Sequence, residues 1–330
     1  MILPDLGELD EAAALVYNYM PASPQLEWPL LNVRCGCRVW VKHENHNPTG
    51  AFKVRGGLVY LSRLRGREPG TRGLVTATRG NHGQSIAFAA DKFGLSSVVV
   101  VPENNNADKN RAMTALGAEL VVHGSDFDES LPHAQQLALE RGLHRIPSFH
   151  RDLVSGVASY GLELFRCQPD LERVYVPIGL GSGICGLICA RNALGLKTEI
   201  VGVVSSAADC YAQSLAAGAC RSTPTANTLA DGVAVRVPNP EALDMMLGQV
   251  ERIVAVDDED VLAAMAVYFS DTHNIAEGAG AAPLAALLKE KALNAGGEVA
   301  VVLSGGNVDK ALYSRAINAQ LPAMATEGVA

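Results

Sequence analysis

The sequence predicts an α/β protein with mostly parallel sheets, on three observations. From Leu74 onward, short runs rich in Val, Ile and Leu alternate with stretches of helical spacing, as parallel strands joined by helical crossovers require. The runs are almost continuously apolar, which is typical of strands covered on both faces. Aromatic residues make up only 5% of the chain and Gly is frequent, a composition that suits close packing of helices on a sheet.

The individual elements follow from these patterns. The predicted strands are residues 74–77, 98–101, 119–122, 174–176, 199–204, 252–256 and 299–303. Helices are expected to begin near His82, Phe127, Asp152 and Ile184. Glycine-containing loops follow two of the strands, at Gly80 and at residues 179–183, which is where open α/β sheets bind ligands. Because these loops come from distant parts of the chain, we expect a site shared between two lobes.

Composition excludes several kinds of partner. The chain has 330 residues and a formal net charge of −8, and its charged residues are scattered singly, so no basic stripe is present that could bind nucleic acid. No signal-like N-terminus or membrane-length apolar run is present, so we expect a cytoplasmic protein without a membrane partner. The seven cysteines lie among small or apolar residues and are expected to be reduced core thiols.

The most informative segment, residues 47–57, reads NPTGAFKVRGG. It places Lys53 just after a turn, at the expected start of a helix. The helix dipole disfavours a positive charge there, which lowers the pKa of the amine and suits it to act as a nucleophile or base. Taken alone, the segment leaves open an ordinary solvated lysine, because Lys is mostly exposed in proteins.

Two further segments place glycines at the starts of helices. In TATRGNHGQ (76–84), first-turn N–H groups are free to hold a carboxylate, although an Asn81 helix cap beside a packed His82 would give the same pattern. In PIGLGSGI (177–184), glycines allow backbone amides to converge on a phosphate. A dinucleotide-binding fold has similar glycine spacing but needs an acidic residue at the end of the next strand, whereas Glu199 begins that strand.

A fourth segment, LSGGN (303–307), ends the last strong strand, and by itself it leaves open a simple turn of small residues. Together, and in this order, the four segments resemble the fold type II pyridoxal-phosphate (PLP) enzymes, the threonine and serine dehydratase (threonine ammonia-lyase) group. The resemblance covers nearly the whole chain. It implies an α/β fold of two open twisted, mostly parallel sheets flanked by helices, similar to the tryptophan synthase β-subunit. The active site would lie between a large domain (1–50 and 155–330) and a small domain (51–154).

The resemblance also implies roles for individual residues. Lys53 carries PLP as a Schiff base and later removes the substrate α-proton. Asn81 hydrogen-bonds the 3′-oxygen of the cofactor, and Ser304 faces its pyridine nitrogen. A hydroxyl cannot keep that nitrogen protonated as an aspartate would, so we expect a moderate electron sink that favours β-elimination over transamination. The substrate contacts Thr78, Arg79, Gly80, Asn81 and His82, and the cofactor phosphate lies on Gly179, Leu180, Gly181, Ser182 and Gly183.

Several candidates match the family less closely. Leu180 and Ser182 depart from its all-glycine phosphate loop. Phe52 precedes the lysine and is a further candidate contact. Glu277 resembles an acidic residue near the cofactor ring, although a helix-capping carboxylate is equally compatible. Phe149 resembles an aromatic residue of a cofactor-adjacent loop, but the family usually continues with Asp where this chain has His150.

Three departures narrow the expected chemistry. Serine racemases of this group have an acid–base Ser directly before Gly-Asn-His, where this chain has Arg79, which is always protonated, so racemisation should be poor. Arg79 could instead steer a carboxylate, close the site or point to solvent. Cation-binding members have an acidic residue where this chain reads VGVV (201–204), with Asp209 alone nearby, so we expect no metal site. The chain ends shortly after Ser304, so we expect a short form without a regulatory domain or isoleucine feedback.

We therefore expect a PLP-dependent ammonia-lyase that dehydrates and deaminates a β-hydroxy amino acid, with L-threonine or L-serine preferred, to a 2-oxo acid and ammonia. In similar enzymes the cofactor phosphate supplies the proton for the leaving hydroxyl. The alternatives are a bulkier substrate such as phenylserine or 3-hydroxyaspartate, β-replacement, a nicotinamide-dependent oxidoreductase, or an amino-acid sensor without catalysis. The family also implies a homodimer or homotetramer.

Overall fold

The computed structural model describes residues 3–322 and contains two sheets. The strands are β1 (Gln25–Glu27), β2 (Arg38–His43), β3 (Gly73–Ala77), β4 (Ser96–Val101), β5 (Glu119–Val122), β6 (His144–Arg145), β7 (Arg173–Pro177), β8 (Glu199–Ser205), β9 (Arg252–Val256) and β10 (Glu298–Leu303). The larger sheet has the order β1-β2-β10-β7-β8-β9, and the smaller has the order β5-β4-β3-β6. All neighbouring strands are parallel except β1 and β2. The predicted fold class is confirmed.

Helices cover the faces of both sheets. They are α1 (Leu6–Tyr17), α2 (Pro29–Cys35), α3 (Lys53–Arg67), α4 (Asn81–Phe93), α5 (Ala107–Ala115), α6 (Phe127–Arg141), α7 (Arg151–Cys167), α8 (Ser182–Ala193), α9 (Cys210–Ala217), α10 (Pro240–Met246), α11 (Asp258–Thr272), α12 (Gly278–Lys289) and α13 (Lys310–Ile317). The four predicted helix starts agree with those of α4, α6, α7 and α8 to within two residues. Within residues 3–322, none of these helices combines the length and the apolar character needed to cross a bilayer.

The larger sheet is buried on both faces, which explains its continuous apolar strands. Along β7, Val174 and Val176 pack into the apolar cluster that contains residues of α7 and α8. Tyr175, between them, packs into a second cluster with residues of α11 and α12 on the opposite face. Successive side chains of a strand point to opposite faces, so a strand covered on both sides needs apolar residues at every position.

Helix α7 contacts both α3 and α8 and so joins the helical layers of the two sheets. Its crossing with α3 is very close: a Cβ added at Gly156 would lie 2.3 Å from the carbonyl oxygen of Arg55. Only glycine permits this approach of two backbones. The crossing lies within the first turn of α3, so it holds that helix end, which carries Lys53, against α7.

Five of the seven cysteines are buried, but Cys167 and Cys220 are exposed. The prediction of core thiols is therefore wrong for these two. Cys167 is the last residue of α7, and Cys220 follows the end of α9, where the chain meets solvent. Among residues 3–322, no group of three or more His, Cys, Asp or Glu side chains could hold a metal ion.

Candidate active site

A cavity of about 530 Å³ is lined by residues from the connections of both sheets. Lys53, the β3–α4 loop (78–80) and Lys109 of α5 line one part of it. Leu180 of the β7–α8 loop and Asp231 line another. The cavity is therefore shared between the two lobes, as the positions of the two glycine loops predicted.

Lys53 is the first residue of α3, and its side chain lines the cavity. Desolvation by the surrounding protein lowers the pKa of its amine to about 8, although the Glu277 carboxylate opposes this shift. The amine also lies 4.8 Å from the centroid of the Phe52 ring. The alternative of an ordinary solvated lysine is wrong.

The segment before Lys53 lies against the fourth motif. The Phe52 N–H donates to the Ser304 carbonyl oxygen at 3.0 Å, and the Gly306 N–H donates to the Gly50 carbonyl oxygen at 2.9 Å. Ser304 directly follows β10 and is buried. The fold thus brings the motifs of Lys53 and Ser304, which lie near opposite ends of the chain, into neighbouring positions.

The start of α4 offers free backbone donors. Its first intrahelical bond runs from the Gln84 N–H to the Gly80 carbonyl oxygen (3.1 Å), so the N–H groups of residues 81–83 have no intrahelical acceptor. Gly80 is the N-cap, and no side chain caps the helix. The alternative of an Asn81 helix cap is therefore wrong. Instead, the Asn81 amide donates to the Glu277 carboxylate at 2.6 Å and accepts from the Asn307 amide at 2.9 Å.

His82 carries a buried polar atom without a partner in the described structure. Its Nε2 has no hydrogen-bond partner, and the residue lines the cavity. Burial lowers the pKa of the imidazole to about 3, and the positive charge of Lys53 acts in the same direction, so His82 is neutral near pH 7. Unpaired buried polar atoms are rare, and one that belongs to a cavity-lining residue indicates a ligand site.

The loop between β7 and α8 contains glycines at positions where a side chain would be strained or would clash. Gly181 has φ = +102°, a left-handed conformation that favours glycine, and a Cβ added at Gly179 would lie only 2.2 Å from the Gly232 carbonyl oxygen. The Tyr211 hydroxyl donates to the Leu180 carbonyl oxygen at 3.0 Å, and the Tyr160 hydroxyl donates to that of Gly183 at 2.9 Å. These bonds satisfy both carbonyl oxygens. Amide N–H groups at the start of α8 remain for a phosphate.

Charged residues face each other across the cavity. Arg79 Nη2 lies 3.2 Å from Asp231 Oδ1, and Lys109 Nζ lies 3.4 Å from the other oxygen of Asp231 and 3.8 Å from Glu277 Oε2. Arg79 therefore lines the cavity rather than simply pointing to solvent. Glu277 occupies the N-cap position of α12 without making a side-chain cap, so the capping alternative is wrong. Burial raises the pKa of the Glu277 carboxyl.

The sequence did not single out Lys109, Asp231 or Asn307 as site residues. Asn307 lies in the LSGGN segment, but Lys109 and Asp231 are single charged residues without a motif. Phe149 packs in the apolar cluster that also contacts Phe52, so its contact with a cofactor stays a prediction. His150, which departs from the family, is the N-cap of α7: its Nδ1 accepts the Asp152 N–H at 3.1 Å.

A lysine amine of lowered pKa and free first-turn helix amides lie at one cavity, which the glycine-containing β7–α8 loop reaches through Leu180, and this arrangement is typical of the class of PLP-dependent enzymes. The residues present fit this cofactor. The family model "Pyridoxal-phosphate dependent enzyme" matches residues 19–305, and the chain belongs to this family. The predicted cofactor is confirmed, and the family match favours PLP over the nicotinamide alternative.

Relatives agree on the enzyme class. The L-threonine ammonia-lyase of Geobacter sulfurreducens is 38% identical over 84% of this chain and 69% of that protein. The L-threo-3-hydroxyaspartate ammonia-lyase of Saccharomyces cerevisiae is 29% identical, over 96% of this chain and 98% of that one. A threonine deaminase from T.th., known from its crystal structure, is 33% identical with a TM-score of 0.87, covering 93% of this chain and 99% of that chain. The prediction of a PLP-dependent ammonia-lyase is confirmed.

Proposed function

We propose that the protein dehydrates and deaminates L-threonine, and also L-serine, to the corresponding 2-oxo acid and ammonia. The observation that carries this proposal is the Lys53 amine, which shares one cavity with the free first-turn N–H groups of α4. That arrangement presents a base and a carboxylate site to the same small amino acid. The relationship to L-threonine ammonia-lyases supports the choice of substrate.

Four groups would hold the cofactor. Lys53 would bind it covalently, the 179–183 loop would hold its phosphate, Asn81 would hydrogen-bond its 3′-oxygen and Ser304 would face its pyridine nitrogen. Bound PLP supplies a conjugated ring that accepts the electron pair left on the substrate α-carbon. The Asn81 amide is already oriented by Glu277 and Asn307, so little further ordering is required on binding.

The substrate would be oriented by the start of α4. Its α-carboxylate accepts from the N–H groups of residues 81–83, which directs the α-proton towards Lys53. Because the pKa of Lys53 is lowered to about 8, a useful fraction of the amine is neutral near pH 7 and can accept that proton. In the net reaction, the α-proton and the β-hydroxyl are lost together as one water, and hydrolysis of the released enamine consumes one water and frees ammonia.

The direct test is Lys53→Ala, with Lys92→Ala as the matched control, since Lys92 is an exposed lysine paired with Asp91. We expect Lys53→Ala to lose both the visible absorbance of lysine-bound PLP and all turnover of L-threonine, while Lys92→Ala keeps both. Retained turnover in Lys53→Ala would refute the assignment.

A second candidate substrate is 3-hydroxyaspartate. Arg79 and Lys109 both line the cavity, and either could pair with a second carboxylate. The yeast relative named for this substrate also matches nearly the full length of both chains. The test is a comparison of kcat/KM for L-threonine, L-serine, phenylserine and 3-hydroxyaspartate. A higher value for 3-hydroxyaspartate than for L-threonine would make it the preferred substrate.

The remaining predictions concern organisation. The domain borders at 50/51 and 154/155, the homodimer or homotetramer and the cytoplasmic location stay predictions. Light scattering of the purified protein measures the oligomeric state directly.

A further inference from the structure

Four buried charged side chains lie next to the segment that carries Lys53. We call them the buried ion cluster: Lys42, Glu44, Arg55 and Glu163. Lys42, Glu44 and Arg55 have no exposed side-chain surface, and Glu163 has 7%. The cluster contains two positive and two negative groups, so its charges balance. None of these four described side chains is among those that line the cavity, so the site described above makes no direct use of them.

Glu44 connects the cluster to the Lys53 segment. Its Oε2 accepts from Arg55 Nε at 2.8 Å and from the Asn47 amide at 3.2 Å. Its Oε1 accepts from Arg55 Nη2 at 3.0 Å and from the Ser23 hydroxyl at 2.5 Å. A buried carboxylate with both its oxygens hydrogen-bonded is rigid, because moving it would leave several buried groups unpaired.

Asn47 connects Glu44 to the turn before Lys53. Its side-chain oxygen accepts the Ala51 N–H at 3.0 Å, and its carbonyl oxygen accepts the Gly50 N–H at 2.9 Å. Arg55 lies on the other side of Lys53, in the first turn of α3. Glu44 therefore holds the chain both before and after the lysine.

We infer that Glu44 is a positioning residue for Lys53: by holding Asn47 and Arg55 together, it sets the position of the lysine amine in the cavity. This inference rests on the proposed covalent role of Lys53. A catalytic group displaced by a fraction of an ångström reacts more slowly even when the fold is intact, so the effect should be separable from stability.

Glu163 provides a matched control within the same cluster. It has the same charge and is also buried, and it accepts from Arg55 Nη1 at 2.6 Å and from Lys42 Nζ at 2.6 Å. Its remaining partners are the Tyr17 hydroxyl at 3.0 Å, Arg55 Nη2 at 3.0 Å, and the N–H and hydroxyl of Ser23 at 3.2 Å and 3.5 Å, none of which belongs to the 47–51 turn. Glu44→Gln and Glu163→Gln thus remove the same charge from the same cluster, and only the first alters the group that accepts from the Asn47 amide.

The experiment compares these two variants with the wild-type holoenzyme. The measurements are the urea unfolding midpoint, the dissociation constant of PLP, the pH midpoint of the visible band of lysine-bound PLP, and kcat and KM for L-threonine. Both variants should lose stability. Only Glu44→Gln should weaken PLP binding by about tenfold, move the pH midpoint and lower kcat with little change in KM.

Equal shifts in PLP affinity and pH midpoint for the two variants would overturn the inference, as would a Glu44→Gln enzyme altered in stability alone. If Glu44→Gln does not fold, Asn47→Ala replaces it, because this change breaks the link to the turn and leaves the ion pairs intact. Asn47→Ala should shift the same two cofactor measurements, and an unchanged variant would again overturn the inference. If the wild type binds PLP without turning over L-threonine, the proposed substrate fails, while the two cofactor measurements still decide the role of Glu44.

Discussion

The buried ion cluster and the Arg79–Asp231 pair of the cavity use similar side chains but differ in how far these are exposed to solvent. In the cluster, Arg55 reaches Glu44 at 2.8 Å and Glu163 at 2.6 Å, and these three side chains are at most 7% exposed. In the cavity, Arg79 and Asp231 are 3.2 Å apart, with 45% and 31% of their side chains exposed. The first arrangement is buried and its carboxylates accept several hydrogen bonds, whereas the second is partly exposed and its paired atoms lie farther apart.

This difference in exposure separates a rigid part of the molecule from a part whose charged groups can bind a ligand. A buried ion pair is costly to break because each partner left behind is an unpaired charge. A half-exposed pair contributes little to folding and can exchange its partner for a ligand group. The rigid cluster lies beside the lysine that needs a fixed position, and the partly exposed Arg79–Asp231 pair lines the cavity that would bind the substrate.

The largest expected effect comes from breaking the cluster itself. Arg55→Met leaves Glu44 and Glu163 without their shared partner and should lower the free energy of unfolding by about 3–5 kcal/mol. The matched change in the cavity, Arg79→Met, should cost less than about 1 kcal/mol, because the Arg79–Asp231 pair is partly exposed. Equilibrium urea unfolding of both apoproteins measures the contrast. Similar losses in the two variants would remove the distinction drawn between the regions.

A smaller change in the free energy of unfolding is expected when the pH is raised, because desolvation lowers the pKa of Lys53 in the folded protein. An unfolded lysine has an ordinary pKa of 10.5, whereas that of folded Lys53 is about 8. Between these values the unfolded chain binds more protons, so the stability of the wild type relative to Lys53→Met should rise with pH. The difference in the free energy of unfolding between the two proteins should rise by at most about 1.4 kcal/mol per pH unit, and it should be constant below about pH 8. Urea unfolding of both apoproteins from about pH 7 to about pH 10.5 checks the sign, and a difference that falls with pH contradicts the lowered pKa.

The smallest effect on stability is expected at Arg79. Arg79→Ser removes one half-exposed pair and should change the free energy of unfolding by less than about 1 kcal/mol. It also introduces a hydroxyl at the position where serine racemases resembling this chain have one, directly before Gly-Asn-His. D-serine should then form from L-serine, which chiral chromatography detects, whereas the wild type and Arg79→Ala should form none. Equal D-serine formation by Arg79→Ala would show that the hydroxyl is not responsible.

Local motifs predicted much of the site, because each contains both the reactive residue and the turn that presents it. The TRGNHG segment contains a helix start, so its free N–H groups follow from the sequence alone. Asp231 and Lys109 have no such local signal, and they contribute only because the segment that contains Asp231 and helix α5 meet at the cavity. The role of Glu277 was left open for the same reason, since its partner Asn81 is 196 residues away.

The amino-acid sequence alone predicted the α/β class, the order of seven of the ten described strands, and the lysine and glycine loops of a PLP enzyme. These features depend on periodicity and on short segments, which act over a few residues. Tertiary packing places Arg79 at the cavity and brings Asn81 to Glu277, so that Asn81 does not cap α4. It also brings Glu44 into contact with residues on both sides of Lys53. Each of these depends on contacts between distant segments, whose distances and degree of desolvation are set only when the two sheets and α7 pack together.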